Sequence, residues 1–206
     1  MTRLAASAVG YFFLGLVRLL TGAQARWYGC PPKAEQRIYF ANHQSHADLV
    51  LIWAALPHEL RGITRPIAAK DYWTASSLKR WITTEVFNAV YVERERKGDE
   101  DPLAPLIAAL ESGDSLILFP EGTRGFDEDP QPFKSGLYNL AQRFPDVVLV
   151  PAWINNVQRV MPKGEVVPVP VLCSVTFGEP LKLGIDEPRA DFLVRARAAV
   201  MALRDV

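Results

Sequence analysis

The chain has 206 residues, enough for one domain with a substantial hydrophobic core. Its 23 basic and 23 acidic side chains balance, so no excess of positive charge points to a nucleic-acid-binding protein. Apolar residues make up 49% of the sequence, a globular proportion that excludes a polytopic membrane protein. The two cysteines, Cys30 and Cys173, match no metal-ligand spacing; two free thiols are the simpler interpretation, and one disulfide stays open.

The first apolar segment, residues 4–17, carries no charge and ends where Arg18 interrupts it. A helix of that length covers about 21 Å, less than the roughly 30 Å of the hydrocarbon layer of a bilayer. A signal peptide, a tilted spanning helix and an anchor that lies in one leaflet all fit this pattern. Several basic residues follow it and suit anionic headgroups, so we favour residues 1–25 as a membrane-associating helix and residues 26–206 as the folded domain.

Apolar runs and helical patterns alternate along the rest of the chain. The predicted strands cover residues 38–41, 66–70, 86–92, 115–119, 147–154 and 171–177. The predicted helices cover residues 49–56, 72–82, 101–111, 135–144 and 187–204, with a connection at residues 161–170. Pro151 predicts an edge position or a bulge for its strand, and residues 125–132 predict an exposed loop. The alternation predicts an α/β fold with a mixed, largely parallel sheet flanked by helices.

The segment 42–48, Asn-His-Gln-Ser-His-Ala-Asp, joins the first strand of this domain to a helix. If His43 lies on the loop and Asp48 in the first turn of the helix, the carboxylate can accept the proton on one ring nitrogen. The other ring nitrogen is then free to act as a general base. This spacing predicts His43 and Asp48 as catalytic residues.

The same segment has two other interpretations. His43, His46 and Asp48 are potential zinc ligands of a metal-dependent hydrolase, but only His58 remains as a further histidine and no cysteine pair assists. Ser45 lacks the flanking glycines of a nucleophile elbow. We therefore predict no metal site and assign His46 a structural or solvent-facing role.

Two further polar clusters follow predicted strands, one at Arg94 and one at Arg124. Ligands of open α/β sheets gather at the carboxyl ends of the strands. Together with Lys134, these arginines predict a clamp for an anion, because arginine offers bidentate geometry to phosphate. Gly122 permits close backbone approach and Thr123 adds a hydroxyl donor. A base, an anion clamp and a membrane segment together indicate a phosphorylated lipid with a hydroxyl to be activated.

These segments resemble the conserved blocks of the glycerolipid acyltransferases, above all the 1-acyl-glycerol-3-phosphate acyltransferases. Residues 42–48 resemble the first block, a histidine followed by four residues and an aspartate, and residues 119–124, Phe-Pro-Glu-Gly-Thr-Arg, match the third block at every position. Residues 133–136 and 150–152 resemble the segment after it and the fourth block.

The second block is matched only in part. The family usually begins this block with glycine and has aspartate before the arginine, where this chain has Asn88 and Glu93. Arg94 itself is in place, so phosphate binding there is still implied by the resemblance.

The resemblance implies acyl transfer from a thioester to the free hydroxyl of 1-acyl-glycerol-3-phosphate, giving phosphatidic acid in phospholipid biosynthesis. It implies that His43 removes the hydroxyl proton, that Asp48 fixes its tautomer, and that the acceptor's phosphate is positioned by residues Arg94, Glu121, Gly122 and Arg124. Glu121 can equally orient Arg124.

By the same resemblance the partners are a lysophospholipid acceptor, acyl-CoA or acyl carrier protein as co-substrate, and a membrane surface, with no cofactor. The expected location is the cytoplasmic face of a membrane, such as a bacterial inner membrane. A different acceptor, glycerol-3-phosphate or a lyso-aminolipid, stays open, as does a non-catalytic phospholipid-binding protein.

Overall fold

The computed structural model describes residues 3–22, 24–45, 47–93, 101–125, 127, 129–155 and 172–206. His46, Arg94 and the predicted connection 161–170 lie outside the described residues. The helices are α1 (Arg3–Thr21), α2 (Asp48–Ala55), α3 (His58–Ile63), α4 (Lys70–Trp73), α5 (Ser77–Trp81), α6 (Ala104–Glu111), α7 (Gly136–Arg143) and α8 (Arg189–Met201), with a π-helical segment at Ile82–Val86. The strands are β1 (Gln24–Trp27), β2 (Arg37–Ala41), β3 (Thr64–Ala69), β4 (Val90–Val92), β5 (Ser115–Leu118), β6 (Val148–Asn155) and β7 (Ser174–Phe177).

The described strands form one seven-stranded sheet in the order β1-β7-β6-β2-β5-β3-β4. β6 and β7 pair antiparallel, and the other neighbouring pairs are parallel. This confirms the predicted α/β fold with a mixed, largely parallel sheet flanked by helices. The carboxyl ends of β2 through β6 therefore lie at one edge of the sheet, and their amino ends lie at the other.

Strand β2 shows how the sequence places helices on both faces of the sheet. Its alternate side chains Ile38 and Phe40 belong to the core shared with α6, α7 and α8. Tyr39 and Ala41 belong to the core shared with α2 and α3 on the other face. Burial of each large apolar side chain stabilises the fold by roughly 1.5–3 kcal/mol. Both cores thus hold β2, and the loop that follows it, in a fixed register.

The largest correction concerns the predicted strand 86–92 and the helix 72–82 before it. The helix is divided into α4, α5 and the π-helical segment, in which Phe87 N–H donates to Ile82 C=O. Only Val90–Val92 forms a strand, because Asn88 has a positive φ of 48° and breaks the extended backbone.

Pro151 occupies an interior strand, so its predicted edge position is wrong. β6 lies between β2 and β7. The Pro151 carbonyl accepts the N–H of Gly178, one residue beyond the end of β7, so the missing proline N–H falls where that ladder ends.

The segment 125–132 is also less exposed than predicted, since Gly125 and Pro130 are buried.

The N-terminal segment forms helix α1, as predicted. In the part of the chain that the structure describes, none of the helices combines the length and the apolar character needed to cross a bilayer. Tyr11, Phe12 and Leu19 are exposed, whereas Leu14 packs against Ala54 of α2. Strand β1, which was not predicted, pairs with β7 and includes residues on both sides of the predicted boundary after residue 25. The two cysteines are buried and free of a disulfide.

Candidate active site

The site forms where two neighbouring parallel strands end. β2 ends at Ala41 and β5 ends at Leu118, and the two strands pair directly. Their following loops therefore meet at the carboxyl edge of the sheet, the edge at which open α/β sheets bind ligands. This places the loop of His43 next to the loop of Glu121.

His43 and Asp48 form a hydrogen-bonded pair. His43 Nδ1 lies 2.8 Å from Asp48 Oδ2, so the Nδ1–H tautomer donates to the carboxylate. Asp48 is the first residue of α2 and its side chain is fully buried, whereas the His43 ring is 22% exposed. His43 is therefore the member of the pair that substrate can reach. Its other ring nitrogen, Nε2, takes no part in the hydrogen bond to Asp48.

The same carboxylate oxygen organises the backbone of the loop. Asp48 Oδ2 also accepts the N–H groups of Gln44 at 2.7 Å and Ser45 at 2.8 Å. Three donors thus converge on one oxygen, which fixes the loop around the carboxylate and holds the imidazole in one orientation. The spacing of five residues between His43 and Asp48 works because the chain turns back on the helix amino terminus.

Glu121 joins the two loops. Its Oε1 accepts the His43 backbone N–H at 2.7 Å, and its Oε2 accepts the Gln131 N–H at 2.7 Å. The residue is only 2% exposed. Burial raises the pKa of Glu121, and the N–H donors of Gln131 and His43 oppose that rise. The carboxylate is therefore a brace beneath His43, bonded to backbone groups on both sides.

Phe119 packs on the imidazole. The rings of His43 and Phe119 are stacked, with centroids 4.3 Å apart and planes 17° from parallel. In addition, Gly125 N–H donates to the His43 carbonyl at 2.8 Å. The His43 ring and backbone are thus held by residues that follow β5 as well as by Asp48.

Asn42 anchors the start of the loop to the neighbouring strand on the other side. Its Oδ1 accepts the N–H of Ile154 at 2.8 Å, and its Nδ2 donates to the Ile154 carbonyl at 3.2 Å. Both groups are buried. The amide side chain thus replaces a missing ladder partner at the end of β2 and fixes the position of the next residue, His43.

The predicted anion-binding residues line the exposed flank of this site. Gly122, Thr123, Arg124 and Lys134 are all exposed. Gly122 has a φ of 71°, and a Cβ added there would lie 2.7 Å from Lys134 Nζ, so this ammonium group sits over Gly122. Lys134 N–H also donates to the Pro120 carbonyl at 2.9 Å. A lysine two residues before α7 thus lies close to the loop that follows β5.

The remaining predictions for this site concern Arg94 and metal binding. β4 ends at Val92 at the same edge of the sheet, but Arg94 itself is not among the described residues. In the ranges that the structure describes, no group of three or more histidine, cysteine, aspartate or glutamate side chains is arranged to hold a metal ion.

The sequence did not predict the roles of three contributors to the site. Phe119 was recognised only as part of a block, Gln131 was assigned to an exposed loop, and Asn42 was given no role. Gln131 acts through its backbone N–H, which no side-chain pattern reveals. The position of Asn42 immediately before His43, at a strand end, was the available signal for its anchoring role.

Comparisons with known proteins agree with this architecture. The sequence model of the Acyltransferase family matches residues 30–155. The chain is 30% identical over 131 residues to human 1-acyl-sn-glycerol-3-phosphate acyltransferase alpha, and the match covers 62% of this chain and 43% of the human protein. It is 27% identical over 135 residues to the lyso-ornithine lipid O-acyltransferase of Brucella abortus, covering 63% of this chain and 46% of that protein.

Among solved structures, the fold is similar to that of the 1-acyl-sn-glycerophosphate (LPA) acyltransferase PlsC from Thermotoga maritima. The TM-score is 0.71 at 21% identity, and the match covers 96% of this chain and 78% of that chain. The α/β fold with helices on both faces of the sheet is thus shared with a lipid acyltransferase.

The chain belongs to the Acyltransferase family, because the family model matches more than half of its length and includes both His43 and Glu121. The predicted resemblance to the glycerolipid acyltransferases is confirmed. The chain spans less than half of the length of the curated relatives described above.

Proposed function

We propose that the protein is a membrane-associated acyltransferase that moves a fatty acyl group from a thioester to the free hydroxyl of 1-acyl-glycerol-3-phosphate. The product of this reaction is phosphatidic acid. The observation that carries the proposal is the His43–Asp48 pair, with its 2.8 Å hydrogen bond and a partly exposed imidazole, in a chain of the Acyltransferase family.

In the proposed reaction, Nε2 of His43 accepts the proton of the acceptor hydroxyl as the oxygen attacks the thioester carbon. The carbon–sulfur bond then breaks, and the proton passes from the imidazolium to the departing thiolate. The buried Asp48 stabilises the imidazolium and keeps its tautomer fixed. General base assistance of this kind contributes about 10²–10⁴-fold to the rate. The thiolate is a good leaving group, so no covalent enzyme intermediate is required.

The phosphate of the acceptor is proposed to bind at Arg124 and Lys134, with Thr123 and the backbone at Gly122 contributing donors. These residues are exposed, and Lys134 Nζ lies close to Gly122, two residues before Arg124. Arg94 is proposed as the third cation of this clamp. Phe119 covers one face of the His43 ring with an apolar surface, which supports a partly dehydrated base.

Helix α1 is proposed to hold the protein at the cytoplasmic surface of a membrane, where the lipid acceptor resides. Tyr11, Phe12 and Leu19 expose 61%, 65% and 82% of their surfaces. Exposed aromatic and aliphatic side chains on a terminal helix are typical of a segment that lies in the interfacial region of one leaflet. Acyl-CoA and acyl carrier protein are both proposed as donors, to be distinguished by assay.

A lyso-aminolipid acceptor is the second candidate. The protein of Brucella abortus named lyso-ornithine lipid O-acyltransferase is 27% identical to this chain, nearly as similar as the human relative at 30%. An aminolipid of that class has no phosphate, so it makes no use of a phosphate clamp. The choice between the two candidates therefore depends on Arg124 and Lys134.

The test is an acyl-transfer assay with purified protein, labelled acyl thioesters and a panel of acceptors: lysophosphatidate, glycerol-3-phosphate and a lyso-ornithine lipid. His43→Ala is compared with the matched control His58→Ala, an exposed histidine at the start of α3. We expect acylated lysophosphatidate with equimolar release of thiol, a loss of about 10²-fold or more in His43→Ala, and native rates in His58→Ala.

Two results would overturn the proposal. Thiol release without acylated product indicates a thioester hydrolase, and equal activity in the two histidine variants removes the base from the mechanism. Preference for the lyso-ornithine lipid, with no effect of Arg124→Gln, selects the second candidate.

A further inference from the structure

A second polar site lies at the opposite edge of the sheet from His43. A cavity of about 580 Å³ opens between α1, α3 and the π-helical segment. It is bordered by Thr64, the first residue of β3, and by Asn88, two residues before β4. These are the amino ends of parallel strands whose carboxyl ends face the catalytic edge, and strands of this length separate the two edges by roughly 15–20 Å.

One side of this cavity carries a guanidinium with a buried nitrogen that lacks a hydrogen-bond partner among the described residues. Arg61 lines the cavity, and its Cζ lies 5.2 Å from the centre of the Trp53 ring. Its Nη1 is buried and has no hydrogen-bond partner among the described residues. Within those residues, no carboxylate forms an ion pair with Arg61. A buried polar group left without a partner is uncommon in native structures and calls for an explanation.

A second arginine adds positive charge near Arg61. Arg18 of α1 reaches across to α2, where its Nη2 lies 3.5 Å from the Ala54 carbonyl. Burial lowers the pKa of Arg61, and the nearby positive charge of Arg18 lowers it further, while Tyr11 and the carboxylate of Glu59 act in the opposite direction without reversing the shift. Glu85 also borders the cavity but is exposed, so water screens its charge. An anion at the guanidinium would relieve the repulsion between the two arginines.

Part of the cavity wall is apolar. Leu14, Val86 and Phe87 line the cavity, and Tyr11 on its rim belongs to the exposed surface of α1. A small hydrated anion gains nothing from such walls, whereas an amphiphile buries its chain against them. The cavity also opens beside the helix that exposes Phe12, the surface that we propose for membrane contact.

We propose that this cavity binds the head and upper chain of an anionic membrane lipid, with Arg61 holding the phosphate. The site is separate from the acyl-transfer site and fixes the orientation of the protein on the bilayer. It rests on the cavity and its charges and does not depend on the identity of the acceptor.

The test uses dihexyl phosphate, a soluble anionic amphiphile without a hydroxyl and therefore not an acyl acceptor. Binding to the full chain is measured by calorimetric titration, and hydrogen–deuterium exchange of residues 58–64 locates it. Inorganic phosphate and zwitterionic hexylphosphocholine are the comparison ligands. We expect dihexyl phosphate to bind and slow exchange at residues 58–64, with both comparison ligands at least about 10-fold weaker.

The variants compare two arginines that both lie near aromatic rings. Arg61→Gln removes the cavity charge, and Arg143→Gln removes the same charge from the surface of α7, where Arg143 pairs with Glu111. We expect Arg61→Gln to weaken dihexyl phosphate binding by about 10–100-fold and Arg143→Gln by less than about 3-fold.

A second pair keeps the proposal testable if Arg61→Gln unfolds. Gly62 lines the cavity, and a Cβ there meets no atom within 4 Å, so the isosteric substitutions Gly62→Glu and Gly62→Gln both start without a clash. Only the glutamate should weaken binding.

The same variants are then compared on vesicles of phosphatidylcholine with and without an anionic lipid. Selective loss of anionic-vesicle binding in Arg61→Gln and in Gly62→Glu supports the site. Inorganic phosphate binding as tightly as dihexyl phosphate refutes a lipid ligand, and equal effects of Arg61→Gln and Arg143→Gln refute a specific site.

Discussion

Glu121 allows a sharp test of how the active site is held together. In Glu121→Gln, the amide offers one acceptor oxygen where the carboxylate offers two. One of the two backbone donors, His43 N–H or Gln131 N–H, then faces an NH₂ group at about the present 2.7 Å. Two donors cannot share that contact, so the loop carrying His43 must shift.

The size of the effect follows from these contacts. A hydrogen bond to a charged group contributes about 1.5–3 kcal/mol, and a displacement of a catalytic group by about 1 Å costs roughly 10²-fold in rate. We therefore expect kcat to fall by about 10–100-fold in Glu121→Gln. Because both carboxylate oxygens are engaged by backbone, the KM for the lipid acceptor should change by less than about 3-fold.

The assay is steady-state acyl transfer with varied acceptor, and Gln131→Ala is the matched control because it keeps the backbone N–H that Glu121 accepts. Native kinetics are expected in the control. A raised KM for phosphate-bearing acceptors at unchanged kcat would show that Glu121 contacts the substrate, as the family resemblance implied, and would refute the bracing role.

The same variant makes a prediction about pH. Burial raises the pKa of Glu121, so its contribution to stability is complete below the ordinary glutamate pKa and is lost as pH rises through the value in the folded protein. The free energy of unfolding of the native protein should therefore decrease relative to Glu121→Gln over that interval. Urea unfolding between about pH 4 and about pH 7 measures the difference. If the free energy of unfolding of the native protein, relative to Glu121→Gln, stays constant or increases with pH, the predicted direction is wrong.

Three further predictions concern stability and reactivity. Gly122→Ala should destabilise the protein by about 1–2 kcal/mol in thermal unfolding, because φ is 71° there; an unchanged midpoint contradicts the strain. Asn42→Ala should cost about 2–4 kcal/mol in urea unfolding, since it leaves the buried N–H and C=O of Ile154 without partners; a loss below about 1 kcal/mol argues against the anchor. Burial raises the pKa of Cys173 to about 11 and also raises that of Cys30, so iodoacetamide at neutral pH should label both at least about 100-fold more slowly in the folded protein than in urea.

The sequence predicted best where a local pattern is enforced by the core. Two short apolar runs, at residues 38–41 and 115–119, place alternate side chains in the cores on both faces of the sheet. Their strands therefore form as predicted. The His43–Asp48 pair was predictable for the same reason. The end of β2 and the start of α2 hold the two residues close together across a short loop.

The failures have a different origin. Pro151 predicted an edge position or a bulge because a proline lacks a donor. The relevant fact is where the partner strand ends, and that depends on pairing between distant segments. The strand predicted for residues 86–92 failed because Asn88 adopts a positive φ and the chain before it stays helical. The brace at Glu121 was also hidden, since both of its partners are backbone groups.

The catalytic edge also concentrates features that lower stability. Asp48 Oδ1 is buried and lacks a hydrogen-bond partner among the described residues, and burial of Glu121 raises the pKa of its carboxyl group. Gly122 holds a backbone conformation that other residues rarely adopt. Each feature costs free energy, yet each also fixes the imidazole or the loop beside it. Rigid placement of His43 is the one property that all three serve, because it removes the reorganisation that the transition state would otherwise require. A site evolved only to hold a lipid has no need of an imidazole fixed this tightly, which favours catalysis over passive binding.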